Sequence, residues 1–113
     1  GKAVAQQRYT RTDSTRVWEY LSKADEWIDD SRFDSAMSLA NKALIESSRL
    51  KFLRGEAYAH LKIAEVHYRK SEHAVLGYYD SAALRTGIVL KDTPLIALAT
   101  YQLGQYFFEQ KKY

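Results

Sequence analysis

A period of forty residues constrains the fold of this chain more than any other feature of its sequence. Small residues recur at this interval, and a large residue follows each of them three positions later; the pairs are Ala24 and Trp27, Ala64 and His67, and Gly104 and Phe107. Residues three apart share one face of a helix, so in each pair the small residue lets a second helix approach closely and the large residue fills the space beside it. A fixed period of this length is typical of stacked helix hairpins.

Apolar residues at helical spacing predict five helices. These helices are expected over about residues 13–30, 31–48, 50–70, 73–90 and 93–110.

Several polar residues are candidates for the helix starts. We expect Asp13, Ser14 or Thr15 to cap the first helix, and Ser31-Arg32-Phe33-Asp34 to form a capping box for the second. Thr93-Pro94 has the pattern of an N-cap followed by proline at the first helical position.

Composition restricts the class of protein. One Pro and five Gly in 113 residues are too few for the many turns of a β protein. The absence of Cys excludes disulfides and thiolate chemistry, and it fits either cytoplasm or periplasm. No apolar run approaches the ~18 residues of a membrane span, so we expect no membrane insertion. Phosphate loops, nucleophile elbows and HExxH motifs are missing, so we predict neither an enzyme nor a cofactor.

The net charge of +3 is confined to the start of the chain. Four basic residues and Asp13 lie within residues 1–16, and the basic and acidic residues of the remainder cancel. A nucleic-acid binder would carry a basic stripe on a folded face. We therefore predict a polar, basic and flexible leader over residues 1–14 and no nucleic-acid partner for this region.

Three stretches share a common pattern of small and aromatic residues, namely Tyr20-x-x-Lys23-Ala24-x-x-Trp27, Phe33-x-x-Ala36-x-x-x-Ala40-x-x-Ala43 and Leu103-Gly104-x-x-Phe107. On these residues, the chain from about residue 15 onward resembles a tetratricopeptide repeat protein. The middle unit is the poorest match, because His67, Leu76 and Asp80 replace the usual motif residues. Tyr79, beside Asp80, suggests that the fourth helix is displaced by one residue.

The resemblance implies an all-α, right-handed superhelix of about two and a half repeats. They would span about residues 17–56, 57–96 and 97–113, with a period of 40 instead of the usual 34. Tyr113 occupies the position that Phe33 occupies before the second helix of its own repeat. We therefore expect a fragment of a longer array, with possible self-association through the unfinished third repeat.

In this family the first helix of each repeat lines a concave groove. The resemblance implies groove positions at Trp18, Leu21, Asp25, Ile28 and Asp29, at Tyr58, Leu61, Glu65, Tyr68 and Arg69, and at Leu98, Tyr101, Gln105, Phe108 and Glu109. Two interpretations stay open, namely that these aromatic side chains anchor a peptide or that they pack against the protein's own flanking segments. Some members clamp a C-terminal carboxylate with Lys and Asn, but the corresponding places here hold Leu21, Asp25, Lys62, Leu98 and Gln102.

Other residues are assigned to packing between the helices. They are Ala24, Trp27, Ala36, Ala43, Ala64, His67, Ala83, Gly104 and Phe107. His60 and His67 lie seven residues apart, about 10.5 Å along a helix axis, which is too far for one metal ion. We therefore predict packed histidines and no metal site.

The sequence predicts a non-catalytic scaffold that binds a protein or peptide of unknown identity. An alternative follows from the similarity to repeat arrays of bacterial two-component sensor kinases and transcriptional regulators, notably of Bacteroidetes. In that case the region is a sensory or regulatory input domain.

Overall fold

The computed structural model describes residues 10–111, and 89% of the described chain is helical with no strand. The all-α class is therefore confirmed. The elements are α1 (Arg11–Asp29), α2 (Phe33–Leu50), α3 (Leu53–Arg69), a 3-10 turn (His73–Val75), α4 (Leu76–Leu90) and α5 (Thr93–Lys111). Across these residues, no helix has the length and apolar character needed to cross a membrane.

The first helix begins earlier than predicted because a different residue caps it. Thr10 Oγ1 accepts a hydrogen bond from the Asp13 backbone N–H at 3.1 Å, and the Asp13 carboxylate accepts one from the Thr10 N–H at 3.3 Å. This is a complete capping box, so the expectation that Asp13, Ser14 or Thr15 is the N-cap is wrong. Thr10 and residues 11–14 therefore belong to the cap and first turn of α1, and residues 1–9 of the predicted leader lie outside the described residues.

The helices α1 to α4 end in the same way. A residue with positive φ follows each of them, and these residues recur every twenty positions, at Ser31, Lys51, Ser71 and Lys91. After α1, the Arg32 N–H donates to the Trp27 carbonyl at 2.8 Å, and the equivalent bond closes the other three ends. This is the Schellman motif. Two such ends make one period of forty residues, so the sequence repeat is also a backbone repeat.

The starts of α2 and α5 differ from the prediction. Ser31 is the left-handed residue of the preceding turn, and the N-cap of α2 is Arg32, which makes no side-chain cap hydrogen bond. The capping box expected there is therefore wrong. Asp92, not Thr93, caps α5, because Asp92 Oδ1 accepts a hydrogen bond from the Leu95 N–H at 3.2 Å.

The third helix is the centre of the molecule. Each helix packs against the next one along the chain, and α3 also contacts α1 and α5. Short connections make consecutive helices antiparallel. The helices α1, α3 and α5 therefore share one face of an elongated body of 51 × 28 × 18 Å.

Small side chains bring these helices together. Nine of the nineteen buried apolar residues in the described part of the chain are alanines. They include the predicted packing residues Ala24, Ala36, Ala43, Ala64 and Ala83. Interaxial distance depends on the side chains at the contact, so alanine at these positions permits close approach.

The predicted packing residue Trp27 lies at the edge of this core. It is half-buried and packs against the cluster that contains Ile28. Lys23 Nζ and the Arg32 guanidinium lie 4.7 and 4.6 Å from its ring centroid. These distances are typical of cation–π contacts, which stabilise a ring that remains partly exposed.

The fourth helix keeps the register of the second. Its buried residues are Leu76, Asp80, Ala83 and Gly87, and each lies forty positions after a buried residue of α2, namely Ala36, Ala40, Ala43 or Ser47. The expected displacement by one residue is therefore wrong. The carboxyl group of Asp80 consequently occupies the place that a methyl group occupies in the preceding hairpin.

The last helix, α5, leaves one face exposed. The corresponding face of α3 is covered by α4. A side-chain carbon at Gly104 would meet nothing within 4 Å, whereas its counterpart Ala64 is buried. Phe107 is 59% exposed. Within the described chain, Gly104 and Phe107 therefore lie on a face that no other helix covers, and their role in packing stays a prediction. Self-association through this face stays a prediction.

Two glycines provide a matched test of this packing. Gly104→Ala should raise the free energy of unfolding by about 1 kcal/mol, because alanine favours the helix and the site is open. At Gly55 an added carbon would lie 2.6 Å from Phe52 Cδ2 and 2.7 Å from Ser47 Oγ. Gly55→Ala should therefore cost about 1–3 kcal/mol. Urea melts measure both, and a loss at Gly104 equal to that at Gly55 would contradict the described open face.

The residues with positive φ that follow the helices predict a second pair of effects on stability. Lys51 has a φ of 60°, a conformation that costs a residue with a side chain about 1–2 kcal/mol. Lys51→Gly should therefore stabilise the fold by up to about 1 kcal/mol after the entropy of glycine is subtracted. Lys42→Gly, at an exposed position inside α2, should destabilise it by about 1 kcal/mol. Thermal melts that show the same sign for both would exclude the Schellman ends.

Candidate functional site

Two adjoining hollows lie on the face that α1, α3 and α5 share. The Trp18 hollow has a volume of about 390 Å³ and is lined by Trp18, Leu21, Ser22, Asp25, Tyr58, Leu61, Lys62, Glu65, Leu98 and Gln102. The Asp80 hollow has a volume of about 320 Å³ and is lined by Ala64, Glu65, Tyr68, Arg69, Leu76, Asp80, Leu98, Tyr101, Gln102 and Gln105. Glu65, Leu98 and Gln102 line both, so the hollows form one continuous surface along α3.

Aromatic rings form one wall of the Trp18 hollow. The Trp18 ring meets the rings of Phe52 and Tyr58 edge to face, with centroids 5.6 and 5.5 Å apart. The Arg54 guanidinium lies 5.7 Å from the Trp18 ring and 5.4 Å from the Tyr58 ring. Trp18 and Tyr58 are half-buried, so each ring packs on the core with one part and faces the hollow with another.

A charged cluster crosses the Trp18 hollow from α3 to α1. Lys62 Nζ donates hydrogen bonds to Asp25 of α1 and, at 2.9 Å, to Glu65 Oε1 of α3. Burial alone would lower the pKa of Lys62, but the two carboxylates outweigh burial and raise it. Lys62 therefore stays charged at neutral pH, and its charge is paired with two carboxylates of the same chain.

A second ion pair ties α3 to α5. Arg54 Nε donates to Asp92 Oδ2 at 2.6 Å, and the same carboxylate caps α5 through the Leu95 N–H. The hydrogen bond from Arg54 and the one from the Leu95 N–H lower the pKa of Asp92. Arg54 thus links the aromatic wall to the start of α5.

The Asp80 hollow has a carboxyl group at its base. Asp80 is 1% exposed, and burial raises its pKa to about 7. The Gln102 amide nitrogen lies 3.0 Å from Asp80 Oδ1 and 3.2 Å from the Leu61 carbonyl oxygen, in the orientation that satisfies both contacts. No Lys, Arg or His forms an ion pair with Asp80 among residues 10–111. A buried carboxyl group with only a neutral donor is costly in the ionised form.

Most of the residues predicted for a groove line these hollows. Those that do are Trp18, Leu21, Asp25, Tyr58, Leu61, Glu65, Tyr68, Arg69, Leu98, Tyr101 and Gln105. Ile28 lies instead in a core cluster with Ala36 and Val66. Phe108 is exposed outside both hollows, and Asp29 is exposed at the end of α1. Glu109 is buried, and its Oε1 accepts a hydrogen bond from the Tyr68 hydroxyl at 3.5 Å.

Six lining residues were not among the predicted groove positions, and three of these, Lys62, Asp80 and Gln102, make polar contacts between helices. The resemblance gives Lys62 and Gln102 no groove role, because they stand where other members carry a carboxylate clamp, and it gives Asp80 only a mismatch with the motif in α4. The available signal was the repeat itself, because Asp80 stands forty residues after Ala40 on a face that is otherwise buried. A charged residue at a buried position of a repeat indicates either a loss of core stability or a functional site.

The histidines of α3 pack against an aromatic ring. The His60 and His67 rings lie 5.9 and 6.0 Å from the Tyr79 ring, and His67 Nδ1 lies 3.0 Å from Glu72 Oε1. Burial lowers the pKa of His60 despite the opposing charge of Glu56. In the part of the chain that the structure describes, no three His, Asp or Glu side chains are grouped as a metal site.

Comparisons with known proteins yield no relative. No family model matches the chain, and neither a curated protein nor a solved structure does. The function must therefore be argued from the described surface.

Asp80 predicts an unusual dependence of stability on pH. Its carboxyl group titrates near 3.8 when unfolded and near 7 when folded, so the folded state holds a proton that the unfolded state releases. Stability should therefore fall as pH rises from about 4 to about 7. Asp80→Asn should have little effect near pH 4 and should stabilise the fold by about 1–4 kcal/mol at pH 8.

Asp92→Asn is the matched control, since the pKa of Asp92 is lowered in the folded state. The stabilising contribution of the Asp92 carboxylate is present above about pH 4 and is lost as pH falls through its folded pKa. Asp92→Asn should therefore destabilise the fold at pH 8, opposite to Asp80→Asn. Urea melts between pH 4 and 8.5 compare the two, and a pH-independent effect of Asp80→Asn would contradict a buried, neutral carboxyl group.

Proposed function

We propose that this chain is a non-catalytic module that binds a protein or peptide through the shared face of α1, α3 and α5. The proposal includes a right-handed superhelix of the tetratricopeptide type. It is supported by the repeated Schellman ends, the antiparallel hairpins and the contacts of α3 with both other odd-numbered helices. In such a stack the odd-numbered helices form the concave side.

The pair of adjoining hollows carries the proposal. Each has a volume of a few hundred Å³, which suits side chains of a bound segment. The most buried lining residues are apolar ones such as Leu61 and Leu76, together with Asp80, and the more exposed Gln105 stands at the edge. An apolar floor with a few polar groups favours recognition of an extended peptide by its side chains.

The aromatic residues of the shared face differ in how much they pack against the protein itself, which is the alternative to binding a partner. Trp18 and Tyr58 already contact each other and the core, so part of their surface serves the fold. Tyr101 is 65% exposed and lines the Asp80 hollow. An exposed tyrosine beside a hollow is the kind of residue that anchors a partner, and Tyr101 is therefore the strongest candidate contact.

A matched pair of tyrosines tests the proposal. Peptides that bind the chain are selected by display, and their affinity is then measured with Tyr101→Ala and Tyr78→Ala. Tyr78 is as exposed as Tyr101, at 70%, but lies on α4 outside both hollows. Tyr101→Ala should weaken binding about tenfold or more, equivalent to about 1.4 kcal/mol, and Tyr78→Ala should change it less than twofold.

Melting curves separate a lost contact from a lost fold. Both tyrosine variants should melt like the parent chain, since exposed substitutions usually change stability by less than about 0.5 kcal/mol. Trp18→Ala should lower stability because its ring packs on Phe52 and Tyr58. Equal losses of affinity in Tyr101→Ala and Tyr78→Ala, or selected peptides that bind elsewhere, would reject this face as the binding surface.

A further inference from the structure

The Asp80 hollow differs chemically from the Trp18 hollow. Ala64, Leu76 and Asp80 are its most buried lining residues, each 1% exposed, so they form the base. Tyr101 and Arg69 are exposed and stand at the rim. A ligand group that enters past Tyr101 and Arg69 therefore contacts apolar side chains on its way in and the Asp80 carboxyl group at the base.

The repeat does not require a carboxyl group at the base of this hollow. Ala40, forty residues earlier, fills the same position of the preceding hairpin and is fully buried. Asp80 has Gln102 as its donor, and that amide is shared with the Leu61 carbonyl. Such a carboxyl group lowers stability in its ionised form, and perturbed acids inside a cavity are typical of functional sites.

The other groups around the hollow favour a positively charged occupant. Glu65 supplies a second carboxylate, which pairs with Lys62 of the neighbouring hollow, and Arg69 is the single cation of the lining. With Lys62 and Asp25 counted, the two hollows hold three carboxylates against two cations once Asp80 ionises. Tyr68 and Tyr101 supply aromatic rings, whose faces attract cations. An anionic ligand would meet two carboxylates, and a neutral ligand would leave the base of the hollow without a charged partner.

We propose that the Asp80 hollow binds a basic side chain of the partner, with its ammonium or guanidinium group paired to Asp80. The alkyl part of that side chain lies along Ala64 and Leu98, between the rings of Tyr68 and Tyr101. This inference rests on the proposed peptide-binding function and specifies the residue class that the peptide must carry. A charge-assisted hydrogen bond in a sheltered site is among the stronger polar contacts.

Binding should depend on pH in a defined direction. The titratable and charged groups that line the hollow with Asp80 are Glu65, Tyr68 and Arg69 of α3 and Tyr101 of α5. A carboxyl group with a pKa of about 7 is mostly protonated at pH 6 and mostly ionised at pH 8. Since only the ionised form pairs with a cation, affinity should rise about tenfold between these pH values.

The experiment titrates the full chain with two small probes and follows backbone amide signals by NMR. The first probe is N-acetyl-arginine N-methylamide, and the second is its uncharged isostere, N-acetyl-citrulline N-methylamide. The arginine probe should shift the signals of residues near Asp80, Gln102 and Tyr101 saturably, about tenfold more tightly at pH 8 than at pH 6. The citrulline probe should bind at least tenfold more weakly at pH 8.

Two acid-to-amide variants complete the test. Asp80→Asn should weaken arginine binding about tenfold at pH 8 and abolish its dependence on pH. Asp34→Asn removes the same charge from an exposed position of α2 outside both hollows and should change the affinity less than twofold. If Asp80→Asn disturbs the spectrum, Tyr101→Ala provides a second variant, which should also weaken the arginine probe.

Several outcomes would overturn the inference. They are equal binding of the two probes, no saturable shift near Asp80, and unchanged arginine affinity in Asp80→Asn and Tyr101→Ala. Display-selected peptides that need Tyr101 but contain no essential Lys or Arg would also overturn it while leaving the proposed function intact. If the arginine probe binds at Asp80 but no peptide binds the shared face, the proposed function fails instead.

Discussion

Close approach of the helices through alanine and glycine is the constraint on which the rest of the structure depends. Where two helices meet through Ala64 or Ala83, no room remains between them for a large side chain. The larger rings therefore lie at the margins of the helix contacts. On the face that α1, α3 and α5 share, Trp18, Tyr58 and Tyr101 are only partly covered. Core packing thus places aromatic side chains where a partner can reach them.

Two ion pairs join the outer helices to α3 beside the hollows. Lys62 reaches Asp25 on α1, and Arg54 reaches Asp92 at the start of α5. Each pair has one partly exposed member, and ion pairs at a protein surface contribute only about 0–1 kcal/mol each. Their main effect is geometric, since they restrict how the outer helices sit on the central one.

Asp80 places an ionisable group where its charge opposes stability. An alanine satisfies the equivalent place in the preceding hairpin, so the repeat does not require an acid there. Burial keeps the carboxyl group largely protonated until about neutral pH. Positions where a chain departs from its own local rules are expected at functional sites, and this departure lies at the base of a hollow.

The sequence by itself determined the five helices, their forty-residue repeat and the alanine positions, because helical periodicity and small-residue spacing are local properties. It did not determine the helix starts at Thr10 and Asp92, since several neighbouring polar residues could accept the same backbone hydrogen bond. Only the tertiary structure decided that Lys62 meets Asp25 and that Gln102 meets Asp80. These contacts join residues 37 and 22 positions apart on different helices, and helix rotation brings them together. The repeat marked Asp80 as unusual, but only the packing of α3, α4 and α5 made its surroundings a hollow.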